Sequence, residues 1–284
     1  MALGALFMLG GVASAQKVAF EEYKLDNGLH VILHNDPSAP TVITSVMYHV
    51  GAKDENPERT GFAHFFEHLL FEGTQNIKRG EWFKIVTGNG GVNNANTTDD
   101  RTYYYEVFPS NNLELGLWME AERMLHPVIN QIGVDTQNEV VKEEKRLRVD
   151  NQPYGNFLAE VKKNIFTKHP YRWATIGSMS HLDAATLEEF QAFNKKFYVP
   201  NNAVLVVAGD FKNEQAKEWI GKNCLYKQCC KCPYQETCEV NSIQIKQVMA
   251  DLKPIVTVVC LYNNTGNHNN RQQQDLHLYQ CQKL

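Results

Sequence analysis

The stretch Gly61–Thr74, GFAHFFEHLLFEGT, constrains the fold more than any other part of the chain. Wound as a helix, Phe62, Phe65, Phe66, Leu69, Leu70 and Phe71 face nearly every direction, so the segment must be largely buried. Yet it carries His64, Glu67 and His68, and polar groups are costly to bury without partners. Four residues apart, His64 and His68 share a face one turn apart, with Glu67 on the same side. Two imidazoles so placed can both reach one zinc ion at about 2.0–2.1 Å. A neighbouring glutamate can then take a proton from a water on the metal and pass it to a leaving amine. The order His-x-x-Glu-His is the reverse of the commoner His-Glu-x-x-His. The plainer alternative is a half-exposed helix with an incidental His/Glu pair. Three polar groups at ligand spacing inside an apolar helix weigh against it.

A catalytic zinc usually takes three protein ligands and keeps one position open. The acidic segment DTQNEVVKEEKRLRVD, read as a helix over Asp135–Asp150 with Asp135 or Thr136 as N-cap, offers Glu139, Glu143 and Glu144. With Val140 at zero, Val141 lies at about 100°, Val134 at about 120° and Leu147 at about −20°, centring an apolar face near about 50°. Glu144, at about 40°, falls inside that face, whereas Glu143 and Glu139 fall on its flank at about −60° and about −100°. Glu144 is therefore the expected third ligand. Glu139 and Glu143, with Lys142 and Lys145, suit a solvated face.

Phe20 to His34 alternates apolar and polar residues about Asp26-Asn27-Gly28, a hairpin signal. Thr41–Ala52 reads as a more buried strand, and Val92–Phe108 as two strands about a turn at Thr98-Asp99-Asp100. Asn201–Phe211 holds another buried strand. Helices are expected within Gly80–Gly91, ending before Pro127, and over Asn156–Phe166 and Ala184–Phe197. The sum is an α+β domain, a mostly antiparallel sheet packed against helices, over residues 17–222.

The ends differ in texture. An apolar run from Ala2 to Val12 closes on Ala13-Ser14-Ala15, which reads as a signal peptide over residues 1–15, although no Lys or Arg precedes it. That run is too short to span a bilayer stably. All seven cysteines lie between Cys224 and Cys281, so the first 223 residues need no disulfide. Residues 223–284 form an atypical tail rich in Cys, Asn and Gln. It admits three readings: a cysteine-based zinc module, a disulfide-bonded appendage, or the product of a frameshift or truncation. The abrupt change at Cys224 favours the last. The net charge of −4, with both signs interspersed, gives no basic stripe for nucleic acid.

Taken together, LDNGLHVIL, VGAKDENPERTGFAHFFEHLLFEGT, NNANTTDDRTYYYEV and PNNAVLVVAGDF resemble the N-terminal half-domain of the pitrilysin-type metallopeptidases, the inverzincins. That family includes insulin-degrading enzyme, the mitochondrial processing peptidase and exported bacterial members, and the resemblance covers roughly residues 20–222. It implies one zinc ion on His64, His68 and Glu144, with Glu67 as general base. It also implies that the strand bearing Asn94 and Ala95 accepts peptide substrate as an added strand. Without the resemblance, Asn94 reads equally as a turn or bulge residue. Many relatives carry a glutamate seven residues before the distal ligand, where this chain has Gln137. The family also builds its chamber from two or more half-domains, and the last sixty residues here do not resemble a second one.

The expectation is a zinc metalloendopeptidase acting on peptides or unfolded segments, exported to a bacterial periplasm or envelope. Its partners are the peptide and a second half-domain or homologous subunit. The alternative is a non-catalytic or truncated half-unit that binds zinc or peptide and turns over only when completed.

Overall fold

A computed structural model describes residues 18–224. The signal-peptide reading and the tail beyond Cys224 lie outside the described residues. Six strands form one sheet: β1 (Glu21–Lys24), β2 (His30–Asn35), β3 (Thr41–Tyr48), β4 (Val92–Thr97), β5 (Thr102–Pro109) and β6 (Ala203–Gly209). Their order is β1-β2-β6-β3-β5-β4. All neighbours are antiparallel except β2 and β6, which run parallel. The fold is the mixed, mostly antiparallel α+β architecture expected from the sequence. β3 and β6 lie inside the sheet and are buried on both faces, hence their near-continuous apolar sequences.

Eight α-helices accompany the sheet among the described residues: α1 (Phe62–Leu69), α2 (Trp82–Gly88), α3 (Leu113–Leu125), α4 (Gln131–Lys145), α5 (Phe157–Ile165), α6 (Met179–Asp183), α7 (Leu187–Phe197) and α8 (Asn213–Cys224). Two boundaries differ from the sequence reading. α4 starts earlier, because the Asn130 side chain, not Asp135 or Thr136, accepts the Gly133 amide. The helix expected over Ala184–Phe197 begins only at Leu187. Thr186 and Glu189 close a reciprocal capping box there, and α6 is a separate short helix before it.

The motif helix α1 packs against α7 through phenylalanine. Phe62 and Phe65 each place their ring 4.6 Å from that of Phe190, and Phe66 stacks 4.8 Å from Tyr198. Its N-terminus turns on Gly61, at φ +98°, where a Cβ would press on the Ile176 carbonyl at 3.0 Å. The carboxyl of Glu55, only 6% exposed, accepts the amides of Gly61 and Ala63 at 2.9 and 2.8 Å. These are two of the donors that a helix start leaves without a partner. At the other end the Tyr104 hydroxyl donates to the Phe66 carbonyl at 2.7 Å, and Arg123 donates to the Leu70 carbonyl.

Arg123 is almost wholly buried. It pairs with Glu106 on β5 at 2.7 Å and with Glu120 on α3 at 3.1 Å, and lies 4.1–4.5 Å from the ring centres of Phe71, Trp82 and Tyr104. Burial, reinforced by the neighbouring Glu120, pushes the Glu106 carboxyl well up despite Arg123. Removing the cation would leave two carboxyl groups buried without it. Arg123→Leu should destabilise the metal-free protein by about 3–5 kcal/mol in urea denaturation.

Glu55 adds a pH dependence. Burial pushes its carboxyl up to about 8, from 4.5 when unfolded, in spite of the two amides it accepts. Between those values the unfolded chain releases a proton that the folded chain keeps, so this group makes stability decline as pH rises from about 4.5 to about 8. Glu55→Gln should flatten that decline in denaturant titrations across the window. An unchanged slope would show that Glu55 does not titrate there.

Candidate metal centre

α1 and α4 bring three groups together. Nε2 of His68 lies 3.0 Å, and Nε2 of His64 3.5 Å, from Oε2 of Glu144. The three potential ligand atoms all fall within 4.8 Å of one another. The imidazole rings stand edge to face, 4.9 Å between centres, as the four-residue spacing on one helix requires. His64 is buried, and the Glu144 side chain is only 14% exposed.

α4 brings Glu144 to the two imidazoles, but not for the reason given by the helical wheel. Val140 and Leu147, which helped to define that apolar face, are 43% and 56% exposed. The buried stripe of α4 runs instead through Val134 and Val141. Counting from Val140, that stripe centres near about 110°, and Glu144 flanks it on the side turned to α1. Glu143 and Glu139 are exposed, and hold Arg146 and Lys142 at 2.9 and 3.1 Å.

Burial works to raise the Glu144 carboxyl. The two facing imidazoles overcome it and hold the group well below the usual carboxylate range. Even so, Glu144 Oε2 makes no hydrogen bond of acceptable geometry, and neither does His64 Nδ1. A buried carboxylate oxygen aimed at two ring nitrogens and left unsatisfied is what a cation between them would complete. Two nitrogens and one oxygen suit zinc, with a coordination position to spare. The residues therefore fit one such ion.

Glu67 faces another neighbour. Its Oε2 accepts from the Thr97 hydroxyl at 2.6 Å, at the end of β4. β4 is the edge strand, paired to β5 on one side only among the described residues. Along it Asn93, Ala95 and Thr97 are half-buried while Asn94 and Asn96 are exposed. Asn94 and Ala95 thus lie on the open edge beside α1, and Asn94 Oδ1 accepts the Ala95 amide at 2.9 Å. The turn after β4 is clamped. Lys162 pairs with Asp99 at 2.6 Å, while Lys53 and the Tyr171 hydroxyl bind Asp100 at 2.8 and 2.7 Å. Gln137 on α4 donates to Glu72 just beyond α1.

Sequence reasoning missed Thr97, Glu55 and Arg148, the last of which pairs with Glu144 at 2.7 Å. Thr97 is one hydroxyl in the polar run NNANTTDD, and only the two-residue period of β4 points it toward α1. Glu55 reads as one charge in a polar loop. Two substitutions separate the geometric assignments: Glu144→Gln should lose bound zinc by elemental analysis after dialysis, and Glu143→Gln should retain it.

The family model described as insulinase, peptidase family M16, matches residues 30–177, and that of the peptidase M16 inactive domain matches residues 184–226. The zinc protease PqqE of Helicobacter pylori is 34% identical over 221 residues, covering 77% of this chain and 50% of that protein. The uncharacterized zinc protease YmxG of Bacillus subtilis is 25% identical, covering 71% and 50%. Among solved structures, a protease from Helicobacter pylori superposes with a TM-score of 0.71 at 32% identity, covering 75% of this chain and 53% of that one. The periplasmic protease PqqL of Escherichia coli shares the fold, with a TM-score of 0.70 at 23% identity over 78% of this chain and 25% of its own. The chain spans about half the length of the curated relatives it matches.

Proposed function

Because this chain belongs to the insulinase, or M16, family of peptidases, we propose that it is the N-terminal half of a zinc-dependent metalloendopeptidase acting on peptides or unfolded segments. The observation that carries this reading is the convergence of His64 and His68 on the unsatisfied Oε2 of Glu144. These three side chains would hold one zinc ion. Zinc there supplies a Lewis acid that polarises the scissile carbonyl and makes a water more acidic. Glu67, held by Thr97, accepts the proton of the attacking water on its carboxylate and delivers it to the departing amine nitrogen. The apolar walls of α1 limit bulk water around these groups. An extended peptide adds to the open edge of β4 along Asn94 and Ala95, main chain to main chain, with little demand on its side chains.

The working protein would need a second half-domain or homologous subunit, which the half-length coverage of the relatives supports. An envelope location draws support from the PqqL structure, whose protein is described as periplasmic. No helix of the described residues is long and apolar enough to cross a membrane.

The same half-length coverage favours a second reading, in which the chain alone binds zinc and peptide without turnover. Zinc content and cleavage of a quenched peptide, with and without the C-terminal half of the Helicobacter pylori relative, separate the two. Cleavage that appears or rises when the second half is added supports the peptidase. Stoichiometric zinc with no cleavage in either mixture leaves the binding half-unit. In the active mixture Glu67→Gln should lower kcat by about a hundredfold or more without loss of zinc.

A further inference from the structure

Glu144 has two carboxylate oxygens, and only Oε2 faces the imidazoles. The other, Oε1, lies 2.7 Å from a guanidinium nitrogen of Arg148, as an ion pair. Arg148 does not lie on the regular part of α4. The helix ends at Lys145 and continues through a wider π-type turn, Arg146–Asp150. Arg148 stands four residues beyond Glu144, the spacing at which helical side chains meet, and its own side chain is 47% exposed.

From this geometry we propose that Arg148 is a positioning residue for the metal centre. It occupies Oε1 and so presents Glu144 to the ion through Oε2 alone. The inference rests on the zinc reading given above. Its chemical sense lies in the ligand count. A catalytic ion needs three protein ligands and one position left open. A glutamate free to swing can offer both oxygens and fill that position with its own carboxylate. A guanidinium paired with one oxygen draws that oxygen away from the ion and restricts the rotamer of the ligand, as outer partners of metal ligands generally do.

The sign of the effect separates positioning from simple charge. Arg148 is a cation close to a dication, and through charge alone its removal would tighten zinc binding. If it positions Glu144, removal weakens binding. Zinc affinity of the full chain, measured by competition with a chelating dye, should fall about tenfold to a hundredfold in Arg148→Ala. Arg148→Lys keeps a donor and the charge and should recover part of the loss. Unfolding of the metal-free Arg148→Ala protein should match the wild type, because the side chain is half exposed. Affinity that is unchanged or tightened in Arg148→Ala overturns the inference and leaves the zinc reading standing. A loss of affinity matched by an equal loss of metal-free stability also overturns it, as a structural effect. A wild-type chain that takes up no zinc overturns the reading beneath it, and this inference with it.

Discussion

The structure depends on keeping a short, greasy helix in one place while three of its polar side chains stay on one side. α1 has only eight residues, too few to be stable by itself. It is held at its start by the Glu55 carboxyl and at its end by Tyr104 and Arg123, with phenylalanine stacking against α7 between them. Each contact fixes a different freedom. The end anchors stop the helix from sliding along its axis, and the stacked rings stop it from rotating. Rotation by one residue would carry His64 and His68 about 100° away from Glu144. The apolar residues around the motif are thus what keeps the two imidazoles turned to Glu144.

The buried charge of Arg123 belongs to the same arrangement. Taking a guanidinium out of water is costly, and its pairing with Glu106 and Glu120 offsets that cost without making the cluster a large net source of stability. Its position beneath Phe71, Trp82 and Tyr104, with a hydrogen bond to Leu70, gives the end of α1 a fixed floor. Glu120 and Arg123 look like ordinary surface charges in NLELGLWMEAERML, because nothing local reveals that α3 is covered on that side.

What was legible in the sequence were features with a short period. The motif's four-residue spacing, the Asp26-Asn27-Gly28 hairpin and the turn at Thr98-Asp99-Asp100 between two strands all report local geometry, and the structure contains each. The helical wheel reaches Glu144 through a face that is only partly right. Val140 and Leu147 are apolar yet exposed, and an exposed valine or leucine is common enough that a wheel built on so few residues drifts. Asn130 was overlooked as a cap because the weakly apolar first turn of α4 hid the start of the helix. Thr97 is hidden for another reason: it matters only through the one atom it touches on a distant helix. The four-residue spacing of Glu144 and Arg148 is readable, but which carboxylate oxygen Arg148 takes up is not.

The position of β6 has a consequence for how the chain is made. Among the described residues Ala203–Gly209 is the last strand in sequence, yet it lies between β2 and β3, near the middle of the sheet. Until it leaves the ribosome, β2 and β3 each carry an open inner edge lined with Val, Ile and Leu. Most of the described chain must therefore wait in a state rich in unpaired backbone, which is slow to fold and prone to stick to other chains. The strand that completes the sheet also closes the interval in which a growing chain is most in need of a chaperone.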